Sequence, residues 1–401
     1  MKILDSNFKY IIKYGYEGYD PRLYYYLPFN KLAKFKPTFT NKVLRKLEKL
    51  VVKDLFPNLL IPYMKMCKID AKTTIPYGLG QFLQAYIRLN ELTKDNKYFD
   101  EAINVSDMLE KFLIKTEYGL GIPNPNNMGN TKFIDGVMDN STIYLPGGSE
   151  VFFGYYKLYK HTNDKKYFHI LNNIAESFIN DFQIKQIAKD KVAFDYSNKK
   201  DNSHVLNANA LVASALSIMY SETKNENYKD IALKTYNYID NYLSYDSIPY
   251  AGTEDKMKNK SWNSCDTYHT GFTLRGMHTI AKIFNKDTDQ VILNVKKMLD
   301  DFVIKEKIVV LKGKGQQGLS QDIHAVAEYI YIFALFYEYF DALEQKKYLE
   351  IISKNLDIFY QKKDGSYYYT VNKNKKFFLH MPRWSHAPMM NALSLLYSKI
   401  G

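Results

Sequence analysis

The sequence predicts an all-α protein, an (α/α)6 toroid in which six helical hairpins close into a ring with short β-hairpins in the connecting loops. Three observations carry this expectation. A short polar loop runs into an apolar stretch six times, at intervals of roughly 55 to 70 residues, enough for one helix pair each. Five of those stretches end in a charged turn before a second helix-like segment. The stretches behind the loops are apolar nearly all round, whereas their partners are amphipathic, so the first set belongs inside and the second outside.

In chain order, TTIPYG leads into LGQFLQAYIRL, and the turn TKDNKYFDEA opens an amphipathic partner, YFDEAINVSDMLEKFLI. YLPGGSE leads into VFFGYYKLY, which closes on TNDKKYF. SHVLNAN precedes ALVASALSIMY, followed by TKNENYKDIA and the charged segment YKDIALKTYNYIDNYL. SCDTYHTG opens FTLRGMHTIAKIF, which stops at NKDTDQ; GLSQDIH opens AVAEYIYIFALFYEYF, which stops before LEQKKYLE. MPRWSH then leads into APMMNALSLLY. Inner helices running parallel bring their N-termini, with unpaired N–H groups and positive dipole ends, to one shared rim. That rim is where chemistry is expected.

A 401-residue chain would ordinarily divide into two or more domains. No Pro/Gly/Ser-rich linker interrupts this one, and a closed ring needs no second core. The expected organisation is a single toroid over 1–401, with a basic segment, 1–60, packed on or beside it. An apolar content of 46%, with 36 Tyr and 24 Phe, is enough for a substantial core. Cys67 and Cys265 lie far apart and read as reduced, unrelated thiols. No signal peptide or membrane span is expected from the hydropathy, which points to the cytoplasm.

The net charge of +12 is uneven. Residues 1–50 hold 11 Lys/Arg against 4 Asp/Glu. Within 40–56, helical spacing puts Val43, Leu44, Leu47, Leu50, Val51 and Leu55 on one face, with Lys42, Arg45, Lys46, Lys49 and Lys53 on the other. Two readings follow: a surface helix with a solvated basic face, or peripheral docking on the inner face of an anionic membrane or on capsule-assembly proteins. Nucleic acid is not an expected partner, because the basic residues form no stripe interleaved with stacking aromatics. No G-x-G-x-x-G or Walker-type motif occurs, and no cysteine pair supports zinc, so no cofactor or metal is expected.

Four of the eight histidines, His204, His269, His324 and His386, fall in the lead-in loops. Histidine moves protons near neutral pH, so the clustering points to acid–base work at the rim. The same loops carry Asp266 and Tyr268, Gln321 and Asp322, Arg383 and Trp384, Asn207 and Asn209, and Glu150 behind a Gly pair. Asp266, Asp322 and Asn209 equally suit helix N-caps, and Trp384 suits rim packing.

Several of these loops resemble those of the VpsJ-like bacterial exopolysaccharide- and capsule-biosynthesis proteins, within the six-hairpin glycosidase-like superfamily. YGYEGYDP (Tyr14 to Pro21) is similar to that family's opening segment. Asn207 and Asn209 in LNAN, Asp266, His269, Gly271 and Phe272 in DTYHTGF, Asp322 and His324 in DIHA, and Arg383 and Trp384 in PRW fit positions where it carries the same residues. The pattern departs after Trp384, where the family continues Gly-Gln-Ala-Trp and this chain has Ser385, His386, Ala387 and Pro388. The resemblance implies a toroid and a glycan context. Related toroids include unsaturated glucuronyl hydrolases, sugar 2-epimerases and uronate C5-epimerases.

Three functions remain open on the sequence. The leading one is proton abstraction and return on an acidic, uronate-containing oligo- or polysaccharide, as in a C5-epimerase or lyase. Tyr268, His269, Asp266, Asp322 and His324 are then catalytic. Arg383 would hold the carboxylate in a bidentate fork and Trp384 would stack on the sugar, with His386, Asn207, Asn209 and Glu150 as further binding residues. The second is glycoside hydrolysis by paired carboxylates drawn from Asp266, Asp322, Glu150 and Asp139. The third is a non-catalytic glycan-binding scaffold.

Overall fold

The computed structural model describes residues 1–20, 27–36, 38–50, 60–69, 72–123, 141–200, 202–243, 248–251, 266–311, 321–372 and 375–401. Four helices come first: α1 (Lys2–Tyr14), α2 (Pro28–Phe35), α3 (Phe39–Lys49) and α4 (Leu60–Met66). Five hairpins follow: α5 (Pro76–Thr93) with α6 (Asn96–Glu110), α7 (Leu145–Thr162) with α8 (Lys165–Asn180), α9 (Leu206–Thr223) with α10 (Glu226–Asp240), α11 (Thr267–Phe284) with α12 (Asp289–Asp301), and α13 (Ile323–Leu335) with α14 (Ala342–Phe359). The last helix is α15 (Ala387–Ile400).

The odd-numbered helices from α5 to α15 form the inner ring. Each packs on the next, and α15 packs back on α5 to close the circle. They are buried over most of their length, α9 from Leu206 to Met219 without interruption. The expected (α/α)6 toroid is the observed fold. Its sixth outer position is filled from the other end of the chain, because α1 packs on α15. Asn7 on α1 donates to the Gly365 carbonyl and lies 2.7 Å from His386 Nδ1.

Local chemistry explains why the hairpins turn where they do. Lys94, Asn163 and Lys224 each adopt the left-handed conformation that ends an inner helix, with φ of 59°, 55° and 61°. In each case the threonine before the turn bonds back to the previous helical turn. The Asp95, Asp164 or Asn225 after it caps the outer helix by accepting from a backbone N–H two residues on. The outer helices are then tied to one another by a recurring tyrosine. Tyr98 on α6 donates to Asp5 on α1, Tyr228 on α10 to Glu176 on α8, and Tyr348 on α14 to Asp300 on α12. The Tyr98–Asp5 bond gives α1 the same relation to α6 that α8 has to α10 and α12 to α14.

The opposite rim carries the longer connections, and the expected β-hairpins lie there. β1 (Ile114–Lys115) pairs with β2 (Leu120–Gly121), and β3 (Ile184–Ala188) with β4 (Lys191–Phe194). β5 (Val303–Ile304) pairs with β6 (Lys307–Ile308). β7 (Gln321–Asp322), β8 (Thr370–Asn372) and β9 (Lys375–Phe377) make a three-stranded sheet that fixes the start of α13. Among the described residues, no helix is long and apolar enough to cross a membrane.

Candidate active site

At the start of α11, Asp266 accepts the His269 backbone N–H at 2.8 Å through Oδ1, capping the helix. Its second oxygen lies 2.5 Å from His269 Nδ1. The N-cap expectation and the catalytic expectation therefore meet in one carboxylate. A carboxylate only accepts, so Nδ1 carries the proton, and a neutral ring presents Nε2 as its lone pair. His269 retains 29% of its side-chain exposure, so solvent and ligands reach it. The Tyr250 ring stands edge-on at 4.6 Å and fixes the imidazole plane.

Asp322 repeats the device at α13, accepting the His324 N–H at 2.8 Å. Its two oxygens also receive the Trp384 indole N–H, at 2.8 and 3.0 Å. Trp384 sits in the π-helical turn Pro382–His386 that leads into α15. Its ring stacks on His324 at 4.5 Å and 20°, and its carbonyl lies 3.3 Å from His324 Nδ1. Burial drives the His324 pKa down to about 3, aided by the positive charge of Arg383, so this imidazole stays neutral. Burial also pushes the Asp322 carboxyl up to about 7, against the pull of the His324 N–H, the indole and Arg383.

Tyr268 joins the two groups. Its ring centroid is 4.7 Å from His269, 5.3 Å from His324 and 5.9 Å from Trp384. Arg383 lies over Trp384 at 4.7 Å and over Tyr77 of α5 at 5.7 Å, and its guanidinium bonds Asp20 at 2.5 Å. Asp20 arrives because the segment before it is pinned. Gly18 bridges Thr73, and the Tyr19 N–H donates to the His380 carbonyl.

Beneath this mouth lies a buried charged floor. Arg275 of α11 bonds Glu150 of α7 directly, and its Nε is 3.8 Å from Glu328 Oε1 of α13. Gln84 of α5 donates to the other Glu150 oxygen at 3.2 Å. Gly271 makes this approach feasible, since a side chain there would collide with Glu328. One guanidinium serves two carboxylates here, and Glu150 holds the closer place. Burial therefore pushes Glu328 up to about 8, despite the pull of Arg275.

The structure thus brings together Asp266, Tyr268, His269, Asp322, His324, Arg383 and Trp384, with Glu150 on the floor below. Two expected binding residues are engaged elsewhere. Asn209 is the fourth residue of α9 rather than a cap, and clamps the Phe194 backbone by accepting its N–H at 2.7 Å and donating to its carbonyl at 3.1 Å. His386 is fully buried, stacked on Tyr10 at 4.7 Å beside Asn7. Asn207 is buried at the start of α9, its Oδ1 without a hydrogen-bond partner among the described residues. His204 lies buried 3.3 Å from Asp195. Asp139, Cys265, Val51, Lys53 and Leu55 fall outside the described residues.

Asp20, Tyr77, Arg275 and Glu328 were not among the candidates. A signal for two of them exists in the sequence: Arg275 and Glu328 are charges inside otherwise apolar inner stretches, and Glu328 follows His324 by one helical turn.

No known sequence family matches the chain, and no curated protein matches it in sequence. Its fold is shared with solved structures. A cellobiose 2-epimerase from Bacillus thermoamylovorans aligns with a TM-score of 0.64 at 14% identity, covering 82% of this chain and 88% of its own. An α-1,6-mannanase from Salegentibacter aligns at 0.56 and 13% identity, over 82% and 90% of the two chains. A D-mannose isomerase aligns at 0.60 and 14% identity, over 81% and 87%. The similarity establishes the six-hairpin toroid.

Proposed function

We propose that this chain is a sugar epimerase or isomerase that takes a proton from an activated carbon and returns it. The observation that carries the reading is the Asp266–His269 dyad, an oriented and accessible base, with Tyr268 within ring-contact distance of both it and His324. Asp266 holds the His269 tautomer and stabilises the imidazolium formed on proton transfer. Neutral His324, buried beside Trp384, supplies a hydrogen bond rather than a charge, and Tyr268 is the acid placed to return the proton. Trp384, stacked on His324 and covered by Arg383, braces the site rather than offering an open face. The occurrence of three epimerases and an isomerase among the structures sharing the fold supports this chemistry.

Hydrolysis has less support, because the candidate carboxylates among the described residues are committed. Asp266 serves His269, Asp322 serves the indole, and Glu150 is sealed under Arg275. On the substrate, both site arginines already face carboxylates, so a uronate must compete with Asp20 or Glu150. A reducing sugar activated by its own carbonyl makes no such demand, and is the substrate class favoured here. A uronate within an exopolysaccharide is the second reading, favoured by Arg383 at the rim, by the net charge of +12 and by the loop resemblance to capsule-biosynthesis proteins.

The test is incubation in deuterated water with reducing mono- and disaccharides, and separately with uronate glycans, read by NMR. Deuterium at a sugar carbon, lost in His269→Ala, is expected. New reducing ends without deuterium would replace the proposal with hydrolysis. New absorbance from an unsaturated uronate would mean a lyase, and binding without turnover a scaffold.

A further inference from the structure

Helix α3 turns Glu48 inward rather than its apolar residues. Glu48 is buried, accepting from the Tyr63 hydroxyl at 2.7 Å and from the Phe29 N–H at 3.4 Å. The apolar side faces out. Phe39 is 84% exposed, Leu47 51%, Leu50 44% and Val43 37%, and at helical spacing these four form one continuous stripe. Leu32, on the neighbouring α2, is also exposed. Single exposed apolar residues are ordinary, but a stripe of four with a phenylalanine at its end marks a contact surface.

Charge decides among the occupants. Lys42 and Lys46 are exposed along one edge of the stripe and Lys36 lies exposed just ahead of it, whereas the helix's one acidic residue is the buried Glu48. A second copy meeting this face about a two-fold axis would set the same lysines against each other. An anionic lipid surface complements both halves of the pattern: headgroup phosphates take the lysines while the stripe enters the headgroup layer. We propose that α3 is an interfacial helix that seats the toroid on an anionic membrane.

The experiment is co-sedimentation of the full chain with vesicles of phosphatidylcholine alone or containing about 30 mol% phosphatidylglycerol, at low and high salt. Partition onto the anionic vesicles is expected, weakened by salt. The double variant Lys42→Ser/Lys46→Ser should lose about 30-fold in partition, at the usual worth of two basic residues near such a surface. Phe39→Ser/Leu47→Ser should abolish the remainder, with melting temperature unchanged because both side chains are exposed. Equal partition onto neutral vesicles, or binding indifferent to both variants, would overturn the proposal. So would a wild-type dimer in solution that the Phe39→Ser/Leu47→Ser change converts to monomer.

Discussion

Replacing Glu328 by glutamine tests the electrostatics of the floor. Glu328 is buried, and the one cation beside it among the described residues, Arg275, is drawn more closely to Glu150. Its carboxyl is pushed from the ordinary 4.5 to about 8, so it is protonated at neutral pH. Glutamine is then nearly isosteric and isoelectronic with the native group, and Glu328→Gln should cost little at pH 5. The folded pKa lies above the unfolded one. The native carboxyl's stability contribution is therefore complete below about pH 4.5 and is lost as the pH rises through about 8. That displacement is worth on the order of 5 kcal/mol, which the variant does not forfeit. Urea denaturation of both proteins from pH 5 to pH 9 reads the difference, and the variant should become the more stable one as the pH rises. A stability difference that stays constant over that range would mean that Glu328 is ionised throughout, and that one arginine supports both carboxylates.

Other outcomes follow from single contacts. Trp384→Phe keeps the stacking on His324 but removes the indole N–H from Asp322, and should lower stability by about 1–3 kcal/mol in urea titrations. Asn209→Ala removes the clamp on both backbone groups of Phe194, and should cost about 2–4 kcal/mol in stability without changing substrate KM. A raised KM with unaltered stability would restore Asn209 to the binding site.

The fold was legible because its repeat is written twice, in apolar inner stretches and in Thr-Lys/Asn-Asp/Asn turns whose chemistry is local. The place of α1 was not, since nothing in Lys2–Tyr14 indicates that its partner lies at the far end of the chain. At the site, the loop histidines and aspartates stood out by type and clustering, and His269, His324, Asp266 and Asp322 do converge. His386 misled because histidine also serves as a buried packing residue, here against Tyr10. Asp20 escaped because its role depends on meeting Arg383 across 363 positions of sequence. Of the helix expected over 40–56 the described part is Phe39–Lys49, and periodicity does not say which face a helix turns to its neighbours: here Glu48, not the apolar residues, points inward.

The joint between the two ends of the chain has a consequence for assembly. Hairpins in the middle of the ring meet sequence neighbours and can stack as they are made, whereas Asn7 with Gly365, Arg88 with Asn391 and Asp20 with Arg383 join residues more than 300 positions apart. The proposed site straddles that joint, since Arg383 and Trp384 come from its late side and Asp20 and Tyr77 from its early side. A nascent chain thus grows as an open spiral with half of the proposed site, and the mouth is completed in the same final step that closes the ring.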